Sequence, residues 1–224
     1  LTQLLDELSK PSDSDGGLGY LNRVSVIGAA LRVEDKKLGI TWGARHADLT
    51  AERAPIGLRA TFDLTADLKT SQPELDGEAY FDRSKKVIDI AASFSGLQPD
   101  KLGQRFESLA AITPLDTDLS GEIDAQIGLD GDIKRATFEI QGAAGSVKIP
   151  DIDAPAIAFR RLALEGQLSR FPDQIRISNL TAEFDDATAA VEGVVTRVGG
   201  IAAVNATLQV PKLPVDAVQK FWLP

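Results

Sequence analysis

Leu58-Arg59-Ala60-Thr61-Phe62-Asp63-Leu64-Thr65-Ala66-Asp67-Leu68-Lys69 alternates apolar and polar residues without a slip. Side chains on a β-strand point to opposite faces with a period of two, so this stretch has one oily face and one charged face. The same phase recurs at Ile123, Ala125, Ile127 and Leu129 against Glu122, Asp124 and Gln126, and at Val204, Ala206, Leu208 and Val210 against Asn205, Thr207 and Gln209. Such stretches read as half-buried antiparallel strands.

Working outward, similar patterns predict strands at 24–34, 41–53, 57–68, 74–81, 86–94, 119–129, 133–142, 145–149, 156–168, 174–184, 189–196 and 201–210. Short turn signals separate them, including Asp35-Lys36-Lys37, Pro55, Ser71-Gln72-Pro73, Asp130-Gly131-Asp132, Phe171-Pro172-Asp173 and Gly199-Gly200. Consecutive strands should therefore pair as a meander. A phase slip between Ile177 and Leu180 predicts a bulge.

Helical signals are few. Leu102, Phe106, Leu109 and Ala110 follow Pro99-Asp100 at helical spacing, which predicts a helix over 100–112 with its cap and first turn set by Pro and Asp. Shorter helical turns are expected at 2–9 and 215–222. Pro99 with Gln104-Arg105-Phe106 matches Pro214 with Gln219-Lys220-Phe221 at equal spacing. The expected organisation is a linker at 1–23, a first repeat at 24–113 with its crossing helix, and a second repeat at 114–224 with a C-terminal crossing segment.

Composition narrows the chemistry. A formal charge of -9 argues against nucleic acid, whose binding rests on clustered Lys and Arg. With no Cys there is no thiol nucleophile and no Cys-based metal site. No apolar run approaches the roughly 20 residues that span a bilayer. The chain begins at Leu1, which reads as a piece of something longer, with any anchor outside it.

Three strings imitate functional motifs. Asp116-Thr117-Asp118-Leu119-Ser120-Gly121-Glu122-Ile123-Asp124 resembles an EF-hand loop, but Ile127 stands where the bidentate Glu belongs and a strand pattern follows, so a turn into a strand is expected. His46 is the only histidine and falls in a strand pattern, where Trp42, Ala44, His46 and Asp48 would share a face; a packed or surface histidine is expected there. Gly16-Gly17-Leu18-Gly19 reads as a linker. No catalytic residue, metal or cofactor is predicted.

What remains is an imbalance: about ten strands offer an apolar face and one short helix cannot cover it. A second sheet could close it as a sandwich, giving a non-catalytic structural or assembly module of an envelope protein. A glycan-acting enzyme built on paired carboxylates is a further alternative. The remaining solution is an open trough filled by hydrocarbon, about 20 Å across for strands of about six residues and close to 50 Å long for ten strands.

The chain resembles a portion of the AsmA-like proteins of the YhdP and TamB group. The resemblance lies in Leu1-Thr2-Gln3-Leu4-Leu5-Asp6-Glu7-Leu8, in the run from Val24 to Asp35, and in Phe94-Ser95-Gly96-Leu97-Gln98-Pro99-Asp100-Lys101-Leu102. It continues at Leu119-Ser120-Gly121, at Leu213-Pro214-Val215-Asp216 and at Phe221-Trp222-Leu223-Pro224. It implies a mainly β fold, an antiparallel meander forming a curved, elongated β-groove of repeating modules with a short crossing helix. It also implies a periplasmic conduit for phospholipid between membranes, tethered to the inner membrane by an anchor outside this chain and in contact with other envelope proteins. The groove lining expected on this reading is Leu58, Phe62, Leu64, Leu68, Ile123, Ile127, Leu129, Val204, Leu208 and Val210, facing phospholipid acyl chains.

Overall fold

A computed structural model describes residues 21–35, 40–68, 71–150, 155–169, 174–198 and 201–212. The fold is mainly β. Its strands are β1 Arg23–Val26, β2 Leu31–Asp35, β3 Ile40–Ala54, β4 Gly57–Asp67, β5 Glu74–Asp82, β6 Val87–Leu97, β7 Leu115–Asp116, β8 Leu119–Gly128, β9 Ile133–Gly142, β10 Gly145–Val147, β11 Ile157–Phe159, β12 Arg161–Ser169, β13 Gln174–Glu183, β14 Thr188–Val198 and β15 Ile201–Lys212. The hydrogen-bonded order is β1-β3-β4-β5-β6-β8-β9-β12-β13-β14-β15, with β2 also on β3; β11-β10-β7 form a separate small sheet. The antiparallel meander expected from sequence is the fold observed. Its longer strands run to 9–15 residues, close to the spans expected from the alternation and longer than the six or so residues taken for the width of the trough.

The chain groups into two compact units, residues 1–94 with 122–136 and residues 95–121 with 137–224. In the first unit, β3, β4 and β5 align their apolar phases. Leu64 lies between Ala47 and Leu75, Phe62 between Leu49 and Gly77, and Ala60 between Ala51 and Ala79. Its core is Ala44, Ala47, Leu64 and Ala66, with Leu31, Trp42, Phe62 and Leu75 packed against it. The opposite phase carries cross-strand hydrogen bonds, from Ser93 Oγ to Asp76 at 2.7 Å and from Gln126 Nε2 to Asp89 at 2.8 Å.

In the second unit, β12 to β15 stack the rows Leu164-Leu180-Val191-Leu208 and Leu168-Ile175-Val195-Val204. The bulge predicted between Ile177 and Leu180 is present. The same irregularity appears on the β12 side, where the register steps from Glu165–Asn179 to Gly166–Ile177 and leaves Ser178 of β13 as the extra residue that bends the strand.

Four local expectations need correction. The stretch 24–34 is two strands, because Gly28 adopts φ +62, a region open to glycine at little cost, and donates its N–H to Asp48 Oδ1 at 2.7 Å. The stretch 156–168 divides at Arg160, with β11 in the small sheet and β12 in the large one. His46 does not share a face with Trp42 and Ala44. A bulge at Arg45 inverts the phase, so Ala44 and Ala47 are buried together while His46 and Asp48 point the other way, 3.6 Å apart.

The helix expected over 100–112 is α1 Pro99–Arg105, an extended Phe106, and a 3-10 turn Glu107–Ile112. Gly103 explains the break. A Cβ there would meet Thr113 N at 2.7 Å and Leu109 O at 2.9 Å, so the turn folds back onto the bare glycine instead of extending the helix. Gln98 occupies the N-cap position without a side-chain cap bond, and Asp100 pairs with Lys101 at 2.9 Å. The short helices expected at 2–9 and 215–222, and the linker Gly16-Gly17-Leu18-Gly19, lie outside the described residues.

The β5–β6 hairpin turns on Asp82. Its Oδ1 accepts from Ser84 Oγ at 2.6 Å, Ser84 N at 2.8 Å and Lys85 N at 3.0 Å. The Ser84 hydroxyl, followed by the Lys85 N–H, holds the carboxyl down to about 2 from its ordinary 3.8. A lowered folded-state value means stabilisation that is complete above about pH 4 and lost as pH falls toward 2. Asp82→Asn should therefore be less stable than the parent at pH 6, and the gap in urea midpoint should close between pH 4 and pH 2. A gap independent of pH would show that the carboxylate charge contributes nothing.

Candidate functional site

The largest organised chemical feature among the described residues is the apolar phase of each unit. A second sheet laid over it would bury its Leu, Ile, Val and Phe side chains almost completely. Instead the buried apolar residues are mostly alanines, namely Ala44, Ala47, Ala51, Ala66, Ala136 and Ala187, joined by Leu64, Leu68 and Phe159. Leu162, Leu164, Leu168, Ile175, Ile177, Leu180, Val191 and Val195 are only half-buried. Among the described residues neither unit contains a second sheet of matching size; the small sheet has strands of two and three residues. Among the described residues, the closed sandwich is therefore not the arrangement within either unit.

The expected lining divides as follows. Leu58, Phe62 and Leu64 sit on β4, and Ile123 and Ile127 on β8, all in the first unit. Leu64 and Leu68 are 8% and 7% exposed and form the closed floor, while Leu58, Phe62 and Ile127 are half-buried and Ile123 is 36% exposed. Leu129 lies past the end of β8 in the turn and is 60% exposed. Val204, Leu208 and Val210 belong to β15 of the second unit and are exposed. Sequence reasoning omitted Leu49, Leu75 and Phe81, which complete the rows through Phe62, Leu64 and Leu58. It also omitted the whole β12–β14 surface, although Leu162, Leu164 and Leu168 alternate plainly.

A shared device flattens this surface. Gly77 faces Phe62 across the β4–β5 ladder, and a Cβ at Gly77 would lie 2.8 Å from Phe62 Cζ. In the second unit a Cβ at Gly166 would lie 3.0 Å from Phe138 Cε2. In both places an aromatic ring lies down over a glycine of the neighbouring strand, covering bare backbone without standing up from the sheet.

The charged residues offer less. Asp63, Asp76, Glu78, Glu122 and Asp124 line a shallow depression of about 420 Å³ with Phe62, Gly77 and Ile123. All five carboxylates are exposed to water. A general acid for glycan cleavage has to be held protonated by an apolar enclosure, which these positions lack. The EF-hand-like string runs as β7, a two-residue connection and β8. Thr117 Oγ1 donates to Ala143 O at 2.9 Å and Asp118 accepts from Gln98 at 2.8 Å. Among the described residues no three His, Cys, Asp or Glu side chains converge as a metal site. No helix among them is long and apolar enough to cross a membrane.

Comparison with known protein families, curated proteins and solved structures finds no match to this chain.

Gly77→Ala tests the ring-over-glycine packing. The added methyl meets Ala91 O and the Phe62 ring, so it should lower stability by about 1–3 kcal/mol despite the higher strand propensity of alanine. Urea denaturation measures this, and an unchanged or raised midpoint would mean that the ring does not occupy that space.

Proposed function

We propose that this chain is a lipid-holding segment of an intermembrane conduit of the AsmA-like type, its apolar sheet face taking the acyl chains of phospholipids. One observation carries the reading. Rows of large aliphatic side chains stand in register, half exposed, with no covering layer of the chain's own among the described residues. Apolar area in water costs about 25 cal/mol per Å², so a face of this kind favours whatever hydrocarbon can cover it. An acyl chain needs no polar anchor, and each methylene it buries contributes about 0.8 kcal/mol.

The flattened rings support the same reading, because they keep the middle of the face low and open. Arg53, the cation in register with Leu58, turns its Nη2 to Leu21 O at 3.2 Å. The resemblance supplies the rest of the proposal: a periplasmic setting, an anchor to the inner membrane outside this chain, and neighbouring envelope proteins. The role is one of holding and passing lipid, with no bond made or broken.

Ile127→Asp on β8 and Leu208→Asp on β15 each place a carboxylate on the face, and Thr137→Asp places one on the polar phase of β9. Binding of a fluorescent fatty acid to purified protein should weaken about tenfold in the first two, the loss of roughly two methylene contacts, and stay at parental level in the third. Equal binding by all of them, with strand content intact by circular dichroism, would remove the apolar face as the site.

A further inference from the structure

We infer that the end of the first unit formed by the β3–β4, β5–β6 and β8–β9 turns is a docking surface for an anionic phospholipid membrane. The hydrogen bonds from Ser93 to Asp76 and from Gln126 to Asp89 fix how neighbouring strands align along their length. They place Pro55-Ile56, Arg83-Ser84-Lys85-Lys86 and Leu129-Asp130-Gly131-Asp132 at the same end of the sheet. Arg83 N donates to Ile56 O at 3.0 Å, which ties the first two turns together. All three turns lie inside described chain and are joined on both sides to paired strands.

Two of the tips carry side chains that turn geometry does not call for. Tight turns favour Gly, Pro, Asn, Asp and Ser, yet Ile56 is 54% exposed and Leu129 is 60% exposed. Both are held outward on fixed backbone: the Ile56 carbonyl accepts from Arg83, and Asp130 Oδ1 braces the other turn by accepting from Asp132 N at 3.0 Å. Four strand spacings of about 4.8 Å separate these tips, roughly 20 Å. Two isolated apolar side chains so far apart do not make the contiguous packed core of a protein–protein interface. A fluid lipid interface accepts each one separately.

Charge selects the sign of that surface. Segments 52–59, 80–89 and 126–135, which make up this end, hold seven Lys and Arg against five Asp and Glu, in a chain whose formal charge is -9. Asp82 and Asp130 are engaged within their own turns, with Lys85 at 3.4 Å and Lys134 at 3.3 Å, while Lys86 has no acidic partner among the described residues. Further along the same strands, segments 48–50, 61–63, 76–78, 91–93 and 122–124 hold six Asp and Glu and no Lys or Arg. Asp48, Asp63 and Asp76 stand directly opposite one another across β3, β4 and β5. The acid of that band nearest the tip on β5, Glu78, is four residues from Asp82, about 14 Å along the strand. That exceeds the Debye length of about 8 Å at physiological ionic strength, so an anionic surface touching the tips is attracted there and screened from the acidic band. The same polarity orients the unit with these turns toward the membrane. The tips are separate from the apolar face, and the inference holds whatever that face binds.

In a flotation assay the 224-residue chain should bind vesicles of equal parts phosphatidylglycerol and phosphatidylcholine and release them as salt is raised. Pure phosphatidylcholine should be bound at least tenfold more weakly. Lys85→Gln, Lys86→Gln and Lys134→Gln combined should weaken anionic binding at least tenfold, as should Ile56→Ser with Leu129→Ser, each with parental circular dichroism. Asp124→Asn, in the acidic band, should bind as the parent does. Leu208→Asp should keep vesicle binding while losing fatty acid, and the lysine variant should keep fatty acid while losing vesicles, so the two surfaces fail separately. No binding to the anionic vesicles, equal binding to neutral ones, or parental binding by either tip variant would overturn the inference.

Discussion

A strand that alternates leucine with aspartate cannot be comfortable in water on both faces, and nearly every feature of this chain follows from that constraint. Neighbouring strands hold their apolar phases in register, so the oily residues form rows and do not scatter. Local devices shield what they can. Trp42 and Leu31 pack against the alanine and leucine floor around Leu64, and Phe62 and Phe138 lie across facing glycines. Beyond those places the rows stay half exposed. Among the described residues, each unit builds one extensive layer where a self-sufficient domain would build two.

The polar phase makes the single layer tolerable as a structure. Cross-strand bonds such as Ser93 to Asp76 and Gln126 to Asp89 tie neighbouring strands together without filling space on the apolar side. Asp82 closes one hairpin, and Gly131, at φ +77, allows the Gly128–Asp132 turn that closes another. Bulges at Arg45 and between Ile177 and Leu180 shift phase locally while returning apolar residues to the same face. Stability thus resides in backbone ladders and in small, tightly fitted residues, leaving the larger aliphatic side chains for another role.

Much of this was legible because period-two alternation is a direct imprint of a half-buried strand. The β4 stretch and the slip at Ile177–Leu180 could be read straight from the residues. What could not be read depended on partners distant in sequence. Whether His46 lies beside Ala44 depends on a bulge opposite Thr65 and Ala66 on β4. Whether the helix continues past Arg105 depends on Thr113 folding back onto Gly103. The depth of the face was equally hidden. Leu64 and Leu129 look alike as apolar positions, yet one is a buried floor residue and the other stands in an open turn.

The central claim is that the uncovered rows hold hydrocarbon. Native mass spectrometry of protein purified from a bacterial host without detergent, paired with organic extraction of the same sample, addresses it most directly. The account predicts phospholipid bound at defined stoichiometry and released on extraction. A uniform apo mass with no extractable lipid would contradict it.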